Sequence, residues 1–166
     1  TPSSAASDVY KRQMSYMADI TGFTVFVPDY RLAPENLFPS QLEDGVATYK
    51  ALIDDHGYSN DEIAIGGDSA GGNLSLVTFL KLRELNEALP AAMICISPWA
   101  DPAATGESYN EDMANKDPLI GPLFKKIWSK FNMKSAIGYY VKKEDVDQSN
   151  PFICPINGDF SGCPPV

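Results

Sequence analysis

One pentapeptide has the residue types and spacing of a covalent catalyst: Gly67-Asp68-Ser69-Ala70-Gly71. It follows the apolar run Ile63-Ala64-Ile65 and leads into an apolar segment from Leu74. Gly-x-Ser-x-Gly between a strand and a helix is the local grammar of a nucleophile elbow. A serine hydroxyl is a weak nucleophile, so it must stand exposed at a sharp turn where a base reaches it. Such a turn strains the serine backbone and crowds the positions two residues to either side. Gly67 and Gly71 are expected there because they lack a Cβ. The first amide of the following helix, that of Ala70, is placed to donate to an oxyanion. The chemistry implied is acyl transfer through a covalent serine intermediate. The alternative is a glycine-rich turn with an incidental serine.

Elements able to position this turn are legible around it. Residues 14–20 end a helix that Gly22 closes, and residues 23–27 read as a buried parallel strand ended by Pro28. Leu42, Val46, Tyr49 and Ile53 recur every three to four residues, which predicts an amphipathic helix over 41–56. A strand over 62–66 enters the turn. A helix over 70–87, apolar on most faces through Leu82, leaves it, and a strand over 93–97 follows until Pro98 breaks it. Strands and helices alternating at short spacing give an α/β fold, a mostly parallel sheet flanked by helices. Ligands of such sheets bind beyond the carboxyl ends of the strands, where Ser69 falls.

Composition narrows the function classes. The 166 residues are 44% hydrophobic and 21% charged, as in ordinary globular domains. A net charge of -9 argues against nucleic-acid binding, which needs a basic footprint. No apolar run approaches the roughly 18 residues of a bilayer span. No leader is legible, and a cytoplasmic setting is the working expectation. Cys95 lies in an apolar run and is expected to be a buried free thiol. Cys154 and Cys163 read as reduced, and neither has a neighbouring histidine or a Cys-x-x-Cys partner, so neither a metal site nor a cofactor is expected.

A second stretch, Val25-Phe26-Val27-Pro28-Asp29-Tyr30-Arg31-Leu32-Ala33-Pro34-Glu35, joins the elbow in a larger pattern. Together with Gly67-Asp68-Ser69-Ala70-Gly71-Gly72-Asn73-Leu74 it resembles the hormone-sensitive-lipase branch of the α/β-hydrolases, a family of carboxylesterases, arylesterases and related deacetylases. Phe38-Pro39, Glu43-Asp44, Ser97-Pro98-Trp99-Ala100-Asp101, Asp117-Pro118-Leu119 and Asn150-Pro151-Phe152-Ile153 follow in the family's order, so the resemblance covers residues 14–166. Gly66 departs from the family's serine or alanine, and Ser75 from a smaller or apolar residue.

The resemblance implies that Ser69 is the nucleophile, that the Ala70 amide is one oxyanion donor, and that the substrate is a small acyl ester. It makes residues 103–147 part of a cap or pocket wall, with a helical segment over 119–131. Met113, Trp128 and Phe131 would then touch the acyl or alcohol group, or else pack on the core. Tyr139 and Tyr140 are open to the same two readings. Arg31 and Glu35 are expected to brace their loop. Asp68 is expected to bond to nearby backbone or to the Arg31 loop.

The family's His-Gly-Gly-Gly-type oxyanion segment, its triad acid and its triad histidine are not found in the chain. The one histidine, His56, precedes the serine within Asp54-Asp55-His56-Gly57-Tyr58 and reads as a solvated helix end. The expectation is the central fragment of a serine carboxylesterase, inactive by itself. Ser3 to Gln13 resembles the translation of a transposase adapter used in sequencing libraries. Residues 1–13 would then be non-native and 14–166 an incomplete α/β-hydrolase domain. Other elbow-serine chemistries (amidase, peptidase, acyltransferase) remain open, as does a non-catalytic small-ligand-binding homologue of the gibberellin-receptor kind.

Overall fold

The stripe of Leu42, Val46, Tyr49 and Ile53 becomes the buried face of a helix, and that face organises the molecule's first layer. The computed structural model describes residues 2–107, 137, 138, 140–142 and 147–166, with side chains from residue 11. Its regular elements are α1 (Pro2–Thr21), α2 (Ser40–Asp54), β1 (Ala64–Asp68), α3 (Ala70–Glu84) and β2 (Ala92–Ile96). Short 3-10 turns occupy Asn60–Glu62 and Pro155–Asn157.

β1 and β2 pair in parallel, with Ala64 opposite Ala92 and Asp68 opposite Ile96. Parallel neighbours need a crossover, and α3 supplies it. One side of α3 packs on the strand pair through Phe79, Leu80 and Met93, joined by the half-buried Ile65 and Cys95. Leu82, on another side, meets Tyr49 of α2 and Ile63. This two-sided burial explains why α3 is apolar on most faces. The opposite face of the strand pair is open, with Ile94 48% and Ile96 56% exposed.

A third cluster joins Ala103, Ile137, Val141, Ile153 and Cys154. The tail returns along β2, where the Met93 N–H donates to the Pro165 carbonyl at 3.0 Å.

Several expectations shift. α3 ends at Glu84 rather than 87 because Asn86 turns left-handed, with φ 57. β1 starts two residues late because Ser59 and Glu62 form a reciprocal capping box around the 3-10 turn. Residues 23–27 form no strand. They have no ladder partner among the described residues, and Phe23 is 74% exposed. Phe26 instead rests on the rings of His56 and Tyr58, 5.7 and 5.8 Å away. β-Branched and aromatic residues make a strand only where a neighbouring strand offers its hydrogen bonds.

Arg31 does not pair with Glu35. Its Nε donates to both Asp44 oxygens at 3.1 and 3.0 Å, and its Nη2 reaches Asp44 Oδ1 at 2.8 Å and Glu43 at 3.0 Å. The fully buried thiol is that of Cys154, while Cys95 is half-buried; all three cysteines are free. No helix among the described residues is long and apolar enough to cross a membrane.

Candidate active site

Ser69 is the single residue between β1 and α3, and the chain turns there through φ 55 and ψ -112. A non-glycine residue in that region costs about 1–3 kcal/mol and persists only when its surroundings hold it. Three backbone hydrogen bonds do so. The Ser69 N–H donates to the Ile96 carbonyl at 3.0 Å. The Ser69 carbonyl accepts from Trp99 N–H at 2.9 Å and from Asn73 N–H at 3.1 Å. Ser69 is thus pinned to the end of β2 and to the first turn of α3, and its side chain is exposed.

The glycines divide the steric work differently from the sequence expectation. A Cβ on Gly67 would lie 2.3 Å from the Gly71 carbonyl carbon, so Gly67 is required. A Cβ on Gly71 would meet nothing within 4 Å. The second crowded position is Gly72, whose Cβ would stand 2.8 Å from Pro98 Cα and Cβ. The expectation for Gly71 is corrected on this point: the close approach comes one residue later, from the loop after β2.

The Ala70 N–H is the first amide of α3, has no acceptor within the helix, and belongs to an exposed residue beside Ser69. Its position at the positive end of the helix suits a developing oxyanion. Buried Asn73 braces the base of the turn, its Nδ2 donating to the Trp99 carbonyl at 2.8 Å and the Ile153 carbonyl at 3.3 Å. Buried Asp101 fixes the loop's exit, its Oδ2 accepting from Thr105 N–H at 2.7 Å and Gly106 N–H at 3.0 Å.

A cavity of about 140 Å³ opens beside the turn, walled by Tyr30, Leu32, Gln41, Ala70, Trp99 and Tyr140 among others. Sequence reasoning did not anticipate Gln41 or Trp99 as cavity residues. Tyr140, left open between pocket and packing, is a wall residue that also contacts the Trp99 and Phe38 rings. Burial pushes its phenol well above the ordinary tyrosine range. The Arg31–Asp44 ion pair ties the loop carrying Tyr30 and Leu32 to α2. Hydrogen bonds from the Arg31 side chain and backbone hold the Asp44 carboxyl below its usual range.

Asp68 is exposed and makes no hydrogen bond to the Arg31 loop, whose arginine is committed to α2. His56 is exposed just beyond the end of α2, and its ring lies 5.7 Å from that of Phe26. Met113, Trp128, Phe131, Tyr139 and the 119–131 segment lie outside the described residues. Among the described residues no group of three His, Cys, Asp or Glu side chains is placed to hold a metal.

A family model described as alpha/beta hydrolase fold matches residues 3–166. The chain belongs to the α/β-hydrolase family. A Mycobacterium tuberculosis relative, provisionally named acetyl-hydrolase LipR, is 37% identical over 157 residues, 95% of this chain and 47% of its own length. An acetyl-hydrolase of Streptomyces hygroscopicus is 31% identical over 95% of this chain and 48% of its own. Among solved structures, an esterase from the bacterial hormone-sensitive lipase family superposes with a TM-score of 0.66 at 41% identity. It is covered over 42% of its length by 82% of this hydrolase. The esterase EstE5 superposes with a TM-score of 0.67 at 36% identity, over the same shares. This α/β-hydrolase chain spans about half the length of these curated relatives. The resemblance to the hormone-sensitive-lipase branch and the α/β fold expected from the sequence are both borne out, and the family is one of carboxylic ester hydrolases.

Proposed function

We propose that this α/β-hydrolase is the central part of a serine carboxylesterase for small acyl esters, with Ser69 as its nucleophile. The observation that carries the reading is the backbone of Ser69, strained at φ 55 and held by three hydrogen bonds so that its side chain stands exposed at the start of α3. In the proposed reaction Ser69 Oγ attacks the ester carbonyl carbon while a base takes its proton. Negative charge gathers on the carbonyl oxygen beside the Ala70 N–H, and collapse of the adduct expels the alcohol and leaves an acyl-serine. Water then repeats the attack and frees the acid. The base, the carboxylate that orients it and the remaining oxyanion donors would come from polypeptide other than this chain.

The names of the relatives, acetyl-hydrolase and esterase, support a short acyl group. The test is to sequence the source DNA across both ends of this reading frame and to express the polypeptide so defined. It should hydrolyse 4-nitrophenyl acetate faster than the matching anilide. Ser69→Ala should lower kcat by about a thousandfold or more. A Ser69→Ala protein with undiminished turnover would overturn the assignment, and an anilide rate equal to the ester rate would move the reading to an amidase.

A further inference from the structure

A second serine stands beside the first. The strand register sets Asp68 opposite Ile96, so the next residues along, Ser69 and Ser97, are opposite numbers. The hydrogen bonds agree. In a parallel ladder a residue bonds through its N–H and carbonyl to the residues that flank its opposite number. The Ser69 N–H donates to the Ile96 carbonyl at 3.0 Å, and the Ser69 carbonyl accepts from Trp99 N–H at 2.9 Å. Ile96 and Trp99 bracket Ser97. Pro98 has no N–H to give, so the bond passes to Trp99. Neighbouring strands lie about 5 Å apart, and that spacing sets the separation of the two serine Cα atoms.

Ser97 is held in a conformation that serine disfavours. Its φ is 43, and a proline follows it. Left-handed backbone is uncommon for any residue but glycine, and a residue before proline is pushed towards extended backbone. Glycine would take this φ at no steric cost. The hydroxyl returns nothing to the chain for that strain: Ser97 is exposed, and among the described residues its Oγ has no hydrogen-bond partner. The Ser69 Oγ is likewise exposed and without a partner among them. Strain held at a residue that gains no internal bond is a mark of a working site.

We propose that Ser97 is a second catalytic hydroxyl, whose O–H donates a hydrogen bond to Ser69 Oγ. Serine pairs on neighbouring strands form such bonds, and a turn about χ1 between staggered wells swings one hydroxyl towards the other. Catalytic hydrogen bonds open in the free protein commonly close only once substrate is bound. Charge appears on Ser69 Oγ twice, when the base withdraws its proton during attack and when the acyl group leaves it. Ser97 serves that charge both times. It forms no covalent bond and gives up no proton. The inference rests on the esterase reading and adds a residue to it.

The experiment uses the polypeptide defined by the extended reading frame, with Ser97→Ala and Ser97→Gly. Ala keeps the strain and removes the hydroxyl, whereas Gly removes both. Each should lower kcat on 4-nitrophenyl acetate by at least about tenfold, the worth of one hydrogen bond to a charged atom. Ser97→Gly should at the same time raise Tm by a few degrees over Ser97→Ala. Rate and stability then move in opposite directions, which a purely structural role does not produce.

Inactivation by phenylmethylsulfonyl fluoride is the second readout. There Ser69 Oγ bonds to sulfur, fluoride leaves and the base takes the proton, so no ester is present. Its rate should fall by a similar factor in both variants. A smaller loss of kcat in either variant, a rate restored in Ser97→Gly, or an undiminished sulfonylation rate would overturn the proposal. Should Ser97→Ala fail to fold, Ser97→Gly decides it alone. Ser69→Ala, run alongside, separates the two readings: retained turnover there overturns the esterase assignment, whereas an inactive Ser69→Ala beside fully active Ser97 variants overturns only the role of Ser97.

Discussion

A Cβ on Gly67 would stand 2.3 Å from the carbonyl carbon of Gly71, inside the backbone of the helix that Ser69 opens. The elbow closes only because the strand's penultimate residue has no side chain. Neither partner can yield, since a Cβ has no rotamer to escape into and the atoms it meets in Gly71 are main chain.

Gly67→Ala should therefore cost about 3 kcal/mol or prevent folding. Gly71→Ala, with open space around its Cβ, should stay within about 1 kcal/mol of the parent. Thermal unfolding of the two variants side by side checks this, and the reverse order would contradict the steric account.

The Asn73 side chain is a donor to two carbonyls from separate loops, Trp99 and Ile153. Asn73→Ala should lower stability by about 1–3 kcal/mol by leaving those carbonyls unpaired. Asn73→Asp should do worse, because a carboxylate there faces two carbonyl oxygens. Urea unfolding midpoints read both, and an Asp variant as stable as the parent would show that the two bonds are unimportant.

The Arg31–Asp44 pair predicts an acid-sensitive component of stability. Hydrogen bonds from the Arg31 side chain and backbone lower the Asp44 pKa from its ordinary value of 3.8. A group whose folded pKa is depressed contributes stability that is present above its unfolded pKa and lost as pH falls through the folded one. Stability should thus decline as pH drops below about 4. Asp44→Asn should flatten that part of the curve, and chemical denaturation across this range measures it. An unchanged acid limb in the variant would remove the pair from the account.

Tyr49 works at the other end of the scale. Its hydroxyl donates to the Ala88 carbonyl at 2.8 Å, and burial, then the charge of Glu87, push its pKa up to about 12. A raised folded pKa means stability is full below the unfolded value near 10 and is lost as pH rises towards 12. Tyr49→Phe should cost about 1 kcal/mol at neutral pH and lessen the alkaline loss. A parallel alkaline decline in both proteins would assign that loss to other groups.

The elbow, α2, α3 and both strands are legible along the chain because their information is local. Gly-x-Ser-x-Gly specifies a turn within five residues, and the apolar stripe of Leu42, Val46, Tyr49 and Ile53 specifies a helix within four turns. Their ends drift by two or three residues where capping groups such as Ser59, Glu62 and Asn86 take over.

Beyond that reach the sequence is silent, for a physical reason. Whether residues 23–27 make a strand depends on a partner strand, not on their own propensity. Whether Arg31 takes Glu35 or Asp44 depends on how α2 lies beneath its loop. Gly72 is indispensable only because Pro98 arrives beside it. The cavity draws its walls from segments near residues 30, 41, 70, 99 and 140, which meet only in space. The sequence by itself determined the Gly-x-Ser-x-Gly turn that carries Ser69 and the α/β class. Tertiary structure alone decided which side chains surround Ser69 and which loops pin its turn, because those contacts join segments far apart in the chain.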